Sequence, residues 1–141
     1  MKILFVCRGN IARSQIAQSL LERNYNIKSK SAGTSLSKPE LGENLSVFGD
    51  KIKHLLTIMN EENIDFSDRK RKSLTPEMVK EADKIIVMAE LETIPDFLDE
   101  NPKVIYWGVE DPKGKSVDKH REVREQIKTL LKDFVEEYNL K

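Results

Sequence analysis

In Val6-Cys7-Arg8-Gly9-Asn10-Ile11-Ala12-Arg13-Ser14, a cysteine and an arginine are separated by five residues, with Gly-Asn between them and serine after. These types at this spacing suit a cradle for a phosphoryl group. A free thiol is mostly protonated at neutral pH. Beside an arginine and a ring of inward-facing amides the thiolate is favoured, and the same field attracts a dianion. Arg13 can grip two phosphoryl oxygens at once, which a lysine cannot. Ser14 follows where a hydroxyl can donate to the sulfur. The competing reading is that Cys7 is a small core residue at a strand end.

A thiolate that attacks a phosphate ester needs a proton donor for the departing oxygen. Asp111, stiffened by Pro112, is the candidate, though Asp-Pro by itself reads more readily as a plain turn. With both residues in place, a phospho-cysteine would form and be hydrolysed with no metal and no cofactor.

The elements that position these groups follow from pattern. Residues 2–6 are apolar without alternation, as in a strand buried on both faces. From Ser14 onward Ile16, Ala17, Leu20 and Leu21 mark one helical face. The unit strand–tight loop–helix turns unpaired helix N–H groups toward whatever the loop encloses. A second strand is expected over 26–32, a loop over 35–46, and a helix carrying Ile52, Leu55, Leu56 and Met59. Residues 63–67 read as a turn and 68–73 as a solvated basic connector. Thr75-Pro76 opens a short helix, since threonine caps and proline suits the first position. Strands are expected over 83–88 and 103–106 and a helix over 91–98. A turn-rich loop spans 107–115, and a long helix runs from Ser116 to about Tyr138.

Strands alternating with helices predict an α/β fold: a three-layer αβα sandwich on a four-stranded parallel sheet, with the phosphate loop after the first strand. Ligands in such sheets bind beyond the carboxyl ends of the strands, where the Cys7 and Asp111 loops both open. The 141 residues suit one domain, 1–141, without repeats or linkers.

Composition narrows the function. The chain is 38% hydrophobic and 34% charged, and 24 basic residues balance 24 acidic ones. That balance gives no general attraction for nucleic acid, so any pull on anions is local. No apolar run approaches membrane-spanning length, and the opening Met-Lys-Ile-Leu-Phe-Val is too short for a signal core. The single cysteine excludes an internal disulfide and a cysteine-rich metal site. The expected setting is cytoplasmic, as a monomer or weak dimer. His54 and His120 lack ligand-like spacing and read as surface or helix-face residues. Trp107 reads as packing at a strand end more readily than as a binding platform.

With those residues in view, the chain resembles the low-molecular-weight protein tyrosine phosphatases. The match at 6–14 continues through Ser31-Ala32-Gly33-Thr34, Ile64-Asp65, Ser67, Leu74-Thr75, Ala82-Asp83, Met88 and Asp111-Pro112. The resemblance implies Cys7 as nucleophile, Arg13 as phosphate-binding arginine, Ser14 as thiolate partner and Asp111 as general acid and base. It implies that Arg8, Gly9, Asn10, Ile11, Ala12, Arg13 and Ser14 wrap the phosphate, and that Asn10 and Ser31 fix the loop through their side chains. The substrate it implies is a phosphorylated protein or a small aryl phosphate.

Departures from the family pattern refine these expectations. Many members carry a second cysteine where Ala12 stands, so peroxide should drive Cys7 to sulfenic and higher acids without disulfide rescue. Many carry aromatics after Asp-Pro, where this chain has Lys113-Gly114, which leaves a ring to lean on Trp107 or residues 35–48. Many carry histidine where Arg69 stands. Arg8 adds positive charge at the rim and favours acidic substrates, and Ile11 suits an aromatic leaving group better than a phosphoguanidinium. Two rival functions share the scaffold. Thioredoxin-coupled arsenate reductases need two further cysteines near 80–90, absent here, so reduction would require an external thiol. A non-catalytic phosphate or phosphoprotein binder would be expected to lose Cys7 or Asp111.

Overall fold

The computed structural model describes residues 1–35, 52–66 and 69–140. The first strand, β1 (Ile3–Cys7), is buried at all five positions, as a run apolar on both faces requires. It is followed by α1 (Arg13–Tyr25), β2 (Lys30–Gly33), α2 (Lys53–Asn60) and α3 (Pro76–Glu81). Then come β3 (Lys84–Val87), β4 (Val104–Tyr106) and α4 (Val117–Glu137). The four strands form one parallel sheet in the order β2-β1-β3-β4.

Alternate residues of β1 divide the core into two layers, since successive side chains point to opposite faces. Ile3, Phe5 and Cys7 join Ile16, Leu20, Leu55, Ile127 and Phe134 from α1, α2 and α4. Leu4 and Val6 join Val79 of α3 and Leu98 on the other face. The fold is therefore the expected three-layer αβα. Trp107 is buried against Phe5 and Phe134, with ring centroids 6.1 and 6.3 Å away, and so serves as packing.

Two boundaries differ from the sequence reading. Asn26 adopts a left-handed conformation (φ 56°) and closes α1, donating its N–H to Glu22 O. Residues 26–29 thus belong to the helix exit, and β2 starts only at Lys30. The helix expected over 91–98 shrinks to a 3-10 turn at Leu91–Thr93. Pro95 cannot donate an N–H and forces Ile94 into extended backbone, which ends it. The loop expected over 35–46 lies, apart from Ser35, outside the described residues, as do positions 67 and 68 of the turn and connector.

Polar contacts tie α4 to the end of α2. Arg121 Nη2 donates to Glu61 Oε2 at 2.8 Å and Arg124 Nη1 to Glu61 Oε1 at 2.6 Å. These bonds, that from Arg121 first and that from Arg124 next, lower the Glu61 pKa from 4.5 to about 2. A carboxyl held lower in the folded state than in the unfolded chain stabilises above its unfolded pKa and loses that contribution as pH falls. Thermal midpoints of wild type and Glu61→Gln should therefore separate above about 4.5 and converge as pH approaches about 2. A gap that stays constant across that window would show that Glu61 does not titrate this way.

Candidate active site

Cys7 ends β1 at the centre of the sheet, with β2 on one side and β3 on the other. Its sulfur is buried at the floor of the loop formed by residues 8–12. Two bonds pin the loop to the chain after β2: Thr34 N–H donates to Cys7 O at 3.0 Å and Ser35 N–H to Arg8 O at 2.9 Å. The N-terminus of α1 then arrives with no side-chain cap and no acidic residue in its first turn. By contrast, Thr75 and Ser116 accept N–H groups at the starts of α3 and α4. No described residue accepts from the backbone N–H groups of Gly9, Asn10, Ile11 or Ala12. Donors left this way at a helix start form a seat for an anion.

Asn10 holds the loop's shape. It takes positive φ (52°), which asparagine tolerates better than most residues. Gly9 beside it does not. Asn10 Oδ1 accepts the Lys72 N–H at 2.7 Å and Gln15 Nε2 at 3.2 Å. A backbone N–H can only donate, so the Asn10 amide orientation is set and Nδ2 must face Ser14 Oγ, 2.8 Å away. The Ser14 oxygen thus accepts from Asn10, and its proton is aimed at Cys7 Sγ, 3.0 Å away. In that polarity the hydroxyl donates to the sulfur.

The Ser31 expectation fails. Its hydroxyl donates to Gln18 Oε1 at 2.6 Å and does not meet Asn10. In the β1–β2 register Ser31 lies opposite Phe5, two residues short of Cys7, and its hydroxyl proton goes to Gln18. Ser14, Gln15 and Lys72 supply the support instead.

Arg13 is buried and anchored across the sheet edge. Nη1 donates to Met88 O and to Val109 O at 3.0 Å, and Nη2 donates to Glu90 Oε1 at 2.9 Å. Three of five guanidinium hydrogens are so used. The Nε hydrogen and the second Nη2 hydrogen meet no hydrogen-bond acceptor among the described residues, and those two make a side-on fork for two oxygens. Asp111 Oδ2 lies 3.7 Å from Arg13 Nη2, while Oδ1 accepts the Lys113 N–H at 3.0 Å. The Asp-Pro turn and the acid beside the arginine are thus one structure.

These groups open on a cavity of about 460 Å³ lined by Cys7, Arg8, Gly9, Ile11, Ala12 and Arg13 on one side. Ile52, Leu55, Arg71, Asp111, Lys113 and His120 line the rest, with Ser35. Four of these, Ile52, Leu55, Arg71 and His120, were not foreseen from sequence as site residues. Glu90, behind Arg13, was another omission. Arg71, expected in a solvated connector, is 4% exposed, and its Nε donates to Gly9 O at 2.8 Å. The connector runs extended beside β2, with Gly33 N–H donating to Lys72 O, so alternate residues turn inward. Burial, then the Arg69 charge, lowers the Lys72 pKa, another sign that this stretch is not solvated. The Arg69/Arg71 alternation was the available signal. His120 lines the cavity with Nδ1 2.8 Å from Ser116 O, its ring edge-on to His54 at 5.5 Å. Ile52 and Leu55 come from the start of α2 and give the cavity an apolar wall.

The family model for low molecular weight phosphotyrosine protein phosphatases matches residues 2–141. An arsenate reductase of Staphylococcus xylosus is 27% identical over 137 residues, covering 94% of each chain. The solved low molecular weight protein tyrosine phosphatase from T. tengcongensis is 27% identical, covers 97% of this chain and 99% of its own, and superposes with a TM-score of 0.75. The YwlE arginine phosphatase from Geobacillus stearothermophilus is 25% identical, covering 99% of this chain and 93% of its own, with a TM-score of 0.77.

If the Ser14 proton stabilises the Cys7 thiolate, Ser14→Ala should slow alkylation of Cys7 by iodoacetamide at neutral pH. A hydrogen bond to a charged group contributes about 1.5–3 kcal/mol, so the rate should fall about tenfold or more. An unchanged alkylation rate would remove Ser14 from this role.

Proposed function

Because the chain belongs to the low molecular weight phosphotyrosine protein phosphatase family, we propose that its cysteine-based phosphatase site hydrolyses aryl phosphate monoesters, phosphotyrosine foremost. The observation that carries this reading is the meeting of Cys7, Arg13 and Asp111 in one cavity, with the Ser14 hydroxyl 3.0 Å from the sulfur.

In the first step the Cys7 thiolate attacks phosphorus. The S–P bond forms as the ester P–O bond breaks, and the departing oxygen takes its proton from Asp111. Oδ1 is occupied by the Lys113 N–H, so Oδ2 is the oxygen that carries that proton. The loop amides and the open fork of Arg13 hold the equatorial oxygens, where charge builds in the transition state. In the second step water attacks phosphorus and gives a proton back to Asp111. The S–P bond breaks, the Ser14 hydroxyl stabilises the departing thiolate, and inorganic phosphate leaves. No metal or cofactor enters either step.

The preference for an aryl leaving group rests on Ile11, Ile52 and Leu55, which offer an apolar wall for a ring. A phosphoarginine side chain would bring a further guanidinium into a cavity already lined by Arg8, Arg71 and Lys113. Like charges repel there, so the activity in the name of the Geobacillus relative suits this cavity less well. The arsenate reductase relatives support a second reading, reduction of arsenate. With one cysteine in the chain, that reaction would need an external thiol, and arsenate-dependent thiol oxidation by the purified protein tests it.

Cys7→Ser should abolish hydrolysis. A general acid contributes about 10²–10⁴-fold, and most where the leaving group is poor. Asp111→Asn should therefore cost phenyl phosphate about that factor and p-nitrophenyl phosphate much less. Full rate on phenyl phosphate in Asp111→Asn would reassign the acid. A panel of phosphotyrosine, phosphoarginine and phosphoserine peptides should rank phosphotyrosine first, and a different leader would overturn the aryl preference.

A further inference from the structure

The loop around the phosphoryl seat works through its backbone. A peptide is planar and trans, so each N–H points opposite to the carbonyl of the residue before it. Where a loop carbonyl is tied therefore decides where the next N–H aims. Arg8 O takes the Ser35 N–H at 2.9 Å, and Asn10 O takes Gln15 Nε2 at 3.3 Å. Those bonds turn the N–H groups of Gly9 and Ile11 the other way, toward the seat. The peptide between them, Gly9–Asn10, is tied by a side chain: Arg71 Nε donates to Gly9 O at 2.8 Å.

That peptide is the one least able to hold itself. Glycine resists few backbone rotations, and Asn10 sits at φ 52°. Turning the peptide over would return Asn10 to the negative φ that L-residues favour. It would also swing Gly9 O into the anion seat and carry the Asn10 N–H out, exchanging a donor for a repelling oxygen. Arg71 stands where it opposes that turn. It is buried, and its backbone is pinned on both sides. Lys70 O accepts Gln15 Nε2 at 2.8 Å, and the Lys72 N–H reaches Asn10 Oδ1 at 2.7 Å. The tripeptide 70–72 thus meets the loop and its Gln15 brace at three points. The outer two use backbone, which any residue supplies, and only the middle one depends on a side chain. A guanidinium suits it, being always charged and a stronger donor to a carbonyl than a neutral amide.

We propose that Arg71 is a positioning residue for the phosphoryl seat: by holding Gly9 O outward it keeps the Asn10 N–H aimed at the phosphoryl oxygens. The role rests on the phosphatase reading above and goes beyond it, assigning the orientation of one seat donor to a residue outside the loop. It requires no contact between Arg71 and substrate.

Inorganic phosphate, read as a competitive inhibitor of p-nitrophenyl phosphate hydrolysis, is the probe. Arg71→Met should raise its inhibition constant about tenfold or more, the scale of one hydrogen bond to a charged group. The kcat/KM should fall by at least that factor, because charge on the equatorial oxygens builds in the transition state. Arg71→Lys keeps a charged donor and should restore most of both. Met and Lys have similar bulk, so the difference between the variants reports the donor rather than the packing. Should Arg71→Met fail to fold, amide and guanidinium NMR of wild type decides. Phosphate should shift the Asn10 N–H and, through the peptide they share, the Arg71 Nε–H. An unchanged inhibition constant in Arg71→Met, equal losses in the two variants, or Asn10 and Arg71 signals that ignore bound phosphate would each overturn the role. The phosphatase reading would survive any of them. Wild type that neither binds phosphate nor hydrolyses p-nitrophenyl phosphate would overturn both.

Discussion

The Asn10 side chain is the constraint on which the site depends. Its carboxamide takes an N–H from the Lys72 backbone on one side and gives one to Ser14 on the other. Because the first donor cannot be reversed, the direction of every later bond up to Cys7 Sγ is dictated. The same residue holds the one left-handed conformation in the loop. Shape and polarity therefore have a common origin, and both trace to a connector 62 residues further along the chain.

Arg13 extends that dependence to the rest of the sheet. Its Nη1 reaches the carbonyl just after β3 and another beyond β4, while Glu90 secures Nη2. With strand order β2-β1-β3-β4, the chain leaves β1 toward β2 and later crosses to β3 on the other side. The opening that results lies at the carboxyl end of β1, where parallel α/β sheets place their ligands. A buried guanidinium bonded on its far edge presents its remaining hydrogens in a fixed direction, so little reorganisation is needed when a dianion arrives.

Much of this was legible in the chain. The apolar run before Cys7, the Gly-Asn pair and the periodic face after Ser14 specify strand, loop and helix by local chemistry alone. Asp111 was visible as a residue type, though two roles fitted it, and the structure makes them compatible. Less legible were contacts made by distant backbone. Nothing in the types of Met88, Val109 or Lys72 marks them, because carbonyl and amide groups do the work there and every residue carries those. Ser31 misled for a related reason: its type fits a supporting hydroxyl, but parallel register sets how far along the sheet it sits. Arg71 was hidden by its neighbours, four consecutive basic residues that read as a solvated run until their extended backbone sorts them into inward and outward positions.

The long reach of the Arg13 contacts also bears on how the protein acquires its competence. Met88 and Val109 are 75 and 96 residues from Arg13 in sequence. Loops of that length must close before the guanidinium is oriented, and parallel pairing of distant strands is slow for the same entropic reason. An early intermediate holding β1 and α1 would have the cysteine, the arginine and the local loop, yet leave the guanidinium free to swing. The chemistry is thus available only when the last strands dock, and turnover reports completion of the whole fold rather than of its first unit.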